Sequence, residues 1–252
     1  RGKKKVFNKL TLSICDNTPT VILGPNGSGK TTLLKILYRE IYPVTQNNSW
    51  VRIMGKTTWN AWELRSHLGF ISHELHSNYK NTTTGLGVVI SGYFSSIGIH
   101  GSIASKISKK QKMHANKIMQ KLEIQNLKNI SFGKMSSGQQ RRCLLARSLV
   151  HNPKTLILDE PTSGLDISGS FAYLNTLRNL IRNSHNIILV THQLNEIPPE
   201  INRVILIKDG KIYCDGPKEE ILTEENLTDV FETEVSISKI NNYYIACPKH
   251  LT

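Results

Sequence analysis

Short apolar runs, separated by polar or glycine-rich residues, recur along most of the chain. Continuous apolar runs at 155–159, 186–190 and 203–208 are typical of strands that are buried on both faces. Residues 141–150 and 170–183, which lie between these runs, have the composition and length of helices. This alternation of strands and helices predicts an α/β fold with a mostly parallel sheet.

Strands are also predicted near both ends of the chain. The apolar stretches 6–14 and Thr20–Leu23 are separated by turn-forming residues, which predicts a pair of N-terminal antiparallel strands. Apolar residues within 33–37 then mark one face of a helix. Near the other end, Asp209-Gly210 lies between two short apolar runs, 203–208 and 211–214, and this pattern predicts a hairpin.

Residues 77–135 differ from the rest of the chain because they are richer in Ser, Asn, Lys and Gly. Apolar residues at helical spacing from 115 to 122 predict an amphipathic helix in this segment. We therefore expect a single domain spanning 1–252 with a helical insertion at 77–135. Five lysines of the insertion suit a nucleic-acid patch, but the solvated face of a helix is the favoured interpretation for Lys109, Lys110, Lys112, Lys117 and Lys121.

Composition narrows the class of protein. The chain has 252 residues, with 32 Lys and Arg against 19 Asp and Glu, a formal net charge of +13. Such a balance suits anionic partners, which include nucleotide phosphates, nucleic acid and acidic membrane surfaces. No apolar run approaches the roughly 18 to 20 residues that span a bilayer. The four cysteines have no CxxC spacing, which disfavours a zinc site, and they are too few for a disulfide scaffold, which favours reduced thiols.

Residues 24–31 match the pattern GxxxxGK[ST] at every position, between a predicted strand and a predicted helix. The glycines let backbone N–H groups close around phosphate oxygens, Lys30 is long enough to reach the β- and γ-phosphates, and the Thr31 hydroxyl can hold Mg²⁺. A glycine-rich turn without a ligand is the alternative, but the flanking strand and helix favour a nucleotide site. The predicted nucleotide-binding residues are Gly24, Pro25, Asn26, Gly27, Ser28, Gly29, Lys30, Thr31 and Thr32.

Hydrolysis of a bound nucleotide also requires carboxylates, and two follow the apolar run at 155–159. Asp159 ends this run, so we expect it to hold a metal ion together with Thr31. Glu160 comes next and is the candidate general base for an attacking water. Two solvated carboxylates before a proline are the alternative interpretation, which the preceding strand disfavours.

Together with the glycine-rich loop and the two carboxylates, the order of further motifs resembles that of the ATP-binding subunits of ABC transporters. Residues 24–31 correspond to the Walker A motif of that family. Residues 135–140, MSSGQQ, resemble the family signature LSGGQ, with Met and Ser at two of its positions. Residues 163–166, SGLD, resemble the D-loop, and His192 resembles the switch histidine that contacts the γ-phosphate. The resemblance implies further nucleotide contacts at Ser136, Ser137, Gly138, Gln139 and Asp166. A helix start capped by Ser136 is compatible with these roles.

Two features depart from the family pattern. The family usually has a Gln after the strand that follows the Walker A helix, whereas this chain has no Gln between 46 and 111. His73 is therefore our candidate for that position, which makes the predicted catalytic residues Lys30, His73, Glu160 and His192. The aromatic residue that stacks on adenine is expected at or before Arg1, because Phe7 comes too late in the chain.

The resemblance implies an ABC-type P-loop NTPase fold and a homodimer that encloses two ATP with Mg²⁺. It also implies ATP hydrolysis that drives separate transmembrane permease subunits, a periplasmic or extracellular binding protein as a further partner, and a peripheral location on the cytoplasmic face of the cell membrane. Residues 196–201, Gly216-Pro217 and Ser91–Tyr93 are similar to those of importer-type ATPases of the molybdate and iron-chelate uptake group.

Two other functions compete with transport. A soluble ABC ATPase acting on nucleic acid or ribosomes fits the basic charge, but Ser136 follows Lys30 by only 106 positions, which leaves no room for a coiled-coil arm. A nucleotide-binding regulator without turnover would be favoured if Glu160 were absent. We therefore expect a transport ATPase and no nucleic-acid partner.

Overall fold

The computed structural model describes residues 5–7, 9–44 and 49–249, with the side chains of 73 and 74 excepted. The chain divides into two compact units. We call residues 1–57, 157–160 and 180–252 the sheet unit, and residues 58–156 and 161–179 the helical unit. The single domain with an insertion at 77–135 stays a prediction.

The described residues form eight strands: β1 Thr20–Leu23, β2 Leu68–Ile71, β3 Thr155–Asp159, β4 Asn186–Thr191, β5 Arg203–Lys208, β6 Lys211–Pro217, β7 Val235–Ile240 and β8 Tyr243–Pro248. They also form ten α-helices: α1 Lys30–Leu37, α2 Ala61–His67, α3 His73–Ser77, α4 Gly85–Ser91, α5 Ser102–Lys106, α6 Lys109–Lys121, α7 Ser137–Ser148, α8 Ile167–Arg182, α9 Lys218–Ile221 and α10 Glu224–Phe231. No helix in this described part is long and apolar enough to cross a membrane.

The sheet unit is built on strands β3, β4, β1, β5 and β6, which are neighbours in that order. Strand β1 is central and pairs in parallel with β4 and β5, so that Val21 lies between Leu189 and Val204. Every residue of β1, β3 and β4 is buried, as expected of strands covered on both faces. The parallel strands therefore share one carboxyl edge, from which the segments after β1, β3 and β4 emerge.

The antiparallel strands lie in the C-terminal part of the chain. Strands β5 and β6 form the hairpin predicted at Asp209-Gly210, and both turn residues have positive φ, 48° and 69°. A second hairpin joins β7 and β8. These pairs confirm a mostly parallel α/β fold with added antiparallel strands.

The N-terminal antiparallel pair predicted from the sequence is wrong, because the described residues between 5 and 19 form no strand. Half-buried and exposed residues still alternate from Leu10 to Ile14. Alternation specifies which side of a segment faces the core, but it does not supply a hydrogen-bonded neighbour. Of the predicted N-terminal pair, only β1 is a strand.

The helical unit packs around α4, α6 and α7. Helix α6 buries Ala115, Ile118 and Met119 on one face, and a capping box of Ser108 and Gln111 starts it. Helix α7 begins at Ser137, four residues earlier than the apolar pattern predicts. The polar residues of its first turn have no apolar periodicity, so only the cap could reveal the true start.

Candidate functional site

The glycine-rich loop after β1 leads directly into α1. Gly27 and Gly29 have φ of 82° and 106°, a region that side chains other than glycine rarely adopt. Gly24 is constrained by space, since an added Cβ would lie 2.2 Å from the carbonyl oxygen of Ile207 on β5. The loop therefore requires glycine at these three positions, and it presents the first N–H groups of α1, which suit an anion.

Lys30 is buried at the start of α1, with 5% of its surface exposed. Its ammonium donates to the carbonyl oxygens of Gly24 at 2.7 Å and Pro25 at 2.9 Å. Burial lowers the pKa of Lys30, while the negative charges of Glu160 and Asp159 act in the opposite direction. The loop thus folds around a lysine whose charge faces both carboxylates.

Two buried oxygen atoms beside this lysine have no hydrogen-bond partner among the described residues. They are Ser28 Oγ in the loop and Asp159 Oδ1 at the end of β3. Burial and the neighbouring Glu160 raise the pKa of Asp159, and a hydrogen bond from Thr31 and the charge of Lys30 oppose that shift. Buried oxygens normally have partners, so this pair suits a ligand that supplies a cation and hydrogen-bonding groups.

Glu160 and His192 form a hydrogen-bonded pair at the carboxyl edge of the sheet. His192 Nδ1 lies 2.9 Å from Glu160 Oε1, and both side chains are about a third exposed. The Glu160 backbone has φ of 46° and its N–H donates to the Val190 carbonyl at 2.8 Å, which anchors the turn to β4. Because a carboxylate only accepts, Nδ1 carries the proton in this pair, and Nε2 takes no part in it.

The turn that carries His192 is held by a network that sequence reasoning missed. The Thr191 hydroxyl donates to the buried carboxylate of Glu196 and accepts the Gln193 N–H at 3.0 Å. These bonds bracket His192 on both sides. The signal in the sequence was the spacing TxxxxE, which has no meaning until the short helix at Leu194–Glu196 brings the carboxylate back to the strand end.

A second contact that sequence reasoning missed holds the phosphate loop, the glycine-rich segment 24–31 after β1. The Gly210 N–H, in the β5–β6 turn, donates to the Ser28 carbonyl at 3.1 Å. An added Cβ at Gly210 would lie 1.8 Å from the Val6 carbonyl oxygen, so no other residue fits. Sequence reasoning identified this glycine only as a hairpin turn.

The signature and D-loop residues lie together in the helical unit. Ser136 caps α7, since its hydroxyl accepts the Gln139 N–H at 3.3 Å while the Gln139 side chain accepts the Ser136 N–H at 2.9 Å. Asp166 caps α8 in a similar way, through the Gly169 N–H at 2.6 Å. Buried Arg141, another residue that sequence reasoning missed, donates to the Ser163 carbonyl at 3.4 Å.

The structure gives less information on the other residues that the sequence predicted for the site. Ser137 is exposed and Gly138 half-buried at the start of α7. The side chain of His73 and any aromatic residue at or before Arg1 lie outside the described part of the chain. His76, one turn further along α3, approaches Gln140 of α7, with Nε2 2.5 Å from Oε1. The sheet unit thus holds the loop, Asp159, Glu160 and His192, and the helical unit holds the signature and the D-loop.

Comparison with known proteins agrees with this geometry. The family model described as ABC transporter matches residues 7–163. The hemin import ATP-binding protein HmuV of Bartonella quintana is 31% identical and covers 95% of this chain and 90% of its own length.

Two solved structures have the same fold. A transporter described as of the metal-chelate type, in an inward-facing conformation, has a TM-score of 0.74 at 24% identity, covering 96% of this chain and 91% of the other. The dimeric structure of the bacterial ABC transporter cassette MJ0796 has a TM-score of 0.69 at 25% identity, covering 86% and 93%.

Fold, motifs and relatives thus agree on a nucleotide-binding module of a transport system. This chain belongs to the ABC transporter family, as an ATP-binding cassette that binds and hydrolyses ATP to power transport.

Proposed function

We propose that the chain binds Mg·ATP between the residues of the phosphate loop and the carboxylates after β3. The observation that carries this proposal is the pair of buried, unpartnered oxygens, Ser28 Oγ and Asp159 Oδ1, together with buried Lys30, whose charge interacts with Asp159. Thr31 and Asp159 supply the hard oxygen ligands that Mg²⁺ prefers. When bound, Mg²⁺ neutralises charge on the phosphate oxygens during transfer.

The other residues have roles that follow from their chemistry. The ammonium of Lys30 compensates phosphate charge, and the loop N–H groups orient the nucleotide. Glu160 takes the proton of the attacking water, and His192 holds the Glu160 carboxylate in position while offering Nε2 to the substrate. His73, which follows β2, supports the attacking water in place of the Gln that the family usually has there.

We further propose that two copies enclose two ATP molecules, with the signature of each copy facing the nucleotide of the other. The dimeric MJ0796 cassette supports this arrangement. Ser136, Ser137 and Gly138 are accessible at the start of α7, as a nucleotide contact across an interface requires. In this arrangement each chain contributes its phosphate loop to one nucleotide and its signature to the other.

Ser136→Arg is expected to prevent ATP-dependent dimerisation, because a long cation would occupy the space that the nucleotide of the partner needs. The measurement is size-exclusion chromatography of Glu160→Gln protein with and without Mg·ATP. Ser108→Arg is the matched control, since Ser108 caps α6 with the same capping box and is not assigned to the site. A Ser136→Arg protein that still dimerises with ATP would contradict the shared site.

The cargo that we propose is a metal chelate, taken in through separate permease subunits and delivered by a periplasmic or extracellular binding protein. Similarity to a hemin import ATPase supports this class of cargo. The chain would then act at the cytoplasmic face of the cell membrane.

Cells that carry Lys30→Ala in place of the wild-type chain are expected to lose most uptake of hemin or ferric chelates. Uptake is measured with radioactive iron, and molybdate uptake is the comparison. A selective loss of molybdate uptake would replace a metal chelate with an oxyanion as the cargo, whereas unchanged uptake of both would refute the role in import.

A further inference from the structure

The positive charge of the chain is concentrated in the helical unit. By sequence this unit has 15 Lys and Arg against 4 Asp and Glu, a net charge of +11. The sheet unit has 17 against 15, a net charge of only +2. Nucleotide binding by the phosphate loop does not explain this distribution, because that loop belongs to the sheet unit.

Much of this charge lies on the exposed surface of α6 and at the end of α5. We call it the lysine face, and its residues are Lys106, Lys109, Lys110, Lys112, Lys117 and Lys121, all exposed. Lys109, Met113, Lys117 and Lys121 recur every four residues, so they form one stripe along the helix. The buried residues Ala115, Ile118 and Met119 lie on the opposite side.

The lysine face has no acidic counterpart. None of its six lysines has an ion pair among the described residues, and Glu123 is the one acidic residue between 106 and 134. Lys117 and Lys121 are neighbours at i, i+4, and like charges at this spacing destabilise a helix. With no acidic side chain to balance these charges, the arrangement suits an anionic partner better than the plain solvated helix face that the sequence favoured.

We propose that the lysine face binds the anionic phospholipid headgroups of the membrane. Clusters of four to eight lysines on an amphipathic helix suit such headgroups, and each contributes through a favourable surface potential. Met113, which is 63% exposed in the middle of the stripe, adds an apolar side chain that can enter the interface. The proposal rests on the proposed function, which places the chain at the membrane surface.

The same face suits other anions less well. Single-stranded nucleic acid is normally bound with stacking on aromatic side chains, and residues 106–121 contain no Phe, Tyr or Trp. The cytoplasmic loops of a permease are enriched in Lys and Arg, so they would repel this face. Lipid phosphate is the acceptor that remains at a cytoplasmic membrane surface.

The test is co-sedimentation with vesicles of phosphatidylcholine, with and without phosphatidylglycerol. Wild-type protein is expected to bind only the vesicles that contain phosphatidylglycerol, and less at high salt. The variant K109Q/K117Q/K121Q should bind at least about tenfold more weakly, since each lysine near the surface contributes. Glutamine is a good helix former, so α6 is expected to remain folded.

The matched control is K9Q/K154Q/K211Q, which removes the same charge from exposed lysines outside the lysine face. Equal vesicle binding by the two triple variants would overturn the proposal, as would tighter binding of the wild type to single-stranded RNA than to the anionic vesicles. ATPase rate without vesicles is the separate readout. A wild-type protein without ATPase activity would count against the proposed function, and vesicle binding would remain an independent result.

Discussion

Lys30→Ala is expected to lower ATP affinity by at least about a hundredfold, because charge-assisted hydrogen bonds contribute roughly 1.5 to 3 kcal/mol each. Lys30 is buried, so water cannot replace its ammonium easily. The substitution also removes the donor that the Gly24 and Pro25 carbonyls share. Binding is measured with a fluorescent ATP analogue.

Lys30→Met separates charge from packing, since it keeps most of the apolar stem and removes the ammonium. Both variants should lose affinity to a similar extent if the charge is what matters. Melting temperature shows whether each variant is folded. Retained affinity in a folded Lys30→Met protein would remove Lys30 from the nucleotide site.

Glu160→Gln is expected to keep Mg·ATP binding and to lose turnover by about 10² to 10⁴, the range of a general base. The amide has the shape of the carboxylate, and its oxygen can still accept from His192, so the pair keeps its geometry. The backbone at 160 has positive φ in either case, which keeps the local strain the same. Rates of phosphate release under saturating ATP measure the effect.

Glu225→Gln provides the control, because Glu225 is an exposed glutamate on α10. It should hydrolyse ATP at the wild-type rate. If Glu160→Gln did so as well, the base would have to be another group, and the Glu160–His192 pair would be structural.

Local sequence pattern predicted the elements whose stability depends on their own residues. The strands Thr155–Asp159 and Arg203–Lys208 occur with the bounds that the apolar runs predict. The turn at Asp209-Gly210 also forms as predicted, since Asp and Gly tolerate positive φ. The apolar run alone placed Asp159 and Glu160 at a strand end, and Asp159 is the last, buried residue of that strand.

The sequence pattern gave wrong predictions where an element depends on a neighbouring strand or on a capping residue. The stretch 6–14 has the alternation of a strand but no strand in the described residues, because alternation cannot supply the neighbour that completes a ladder. Apolar periodicity placed the start of α7 four residues too late, whereas the helix start capped by Ser136, also considered from the sequence, is the one that forms.

The chain by itself determined the chemistry of the site: a glycine loop with Lys30, carboxylates after a buried strand, and His192 after the next strand. Only the tertiary structure decided how these groups are held. It brings the Gly210 N–H to the Ser28 carbonyl, and it places Glu196 beneath the turn of His192. Such contacts join residues that are distant in sequence or that are separated by a turn of the chain. Local propensity contains no information about which surfaces meet when the core forms.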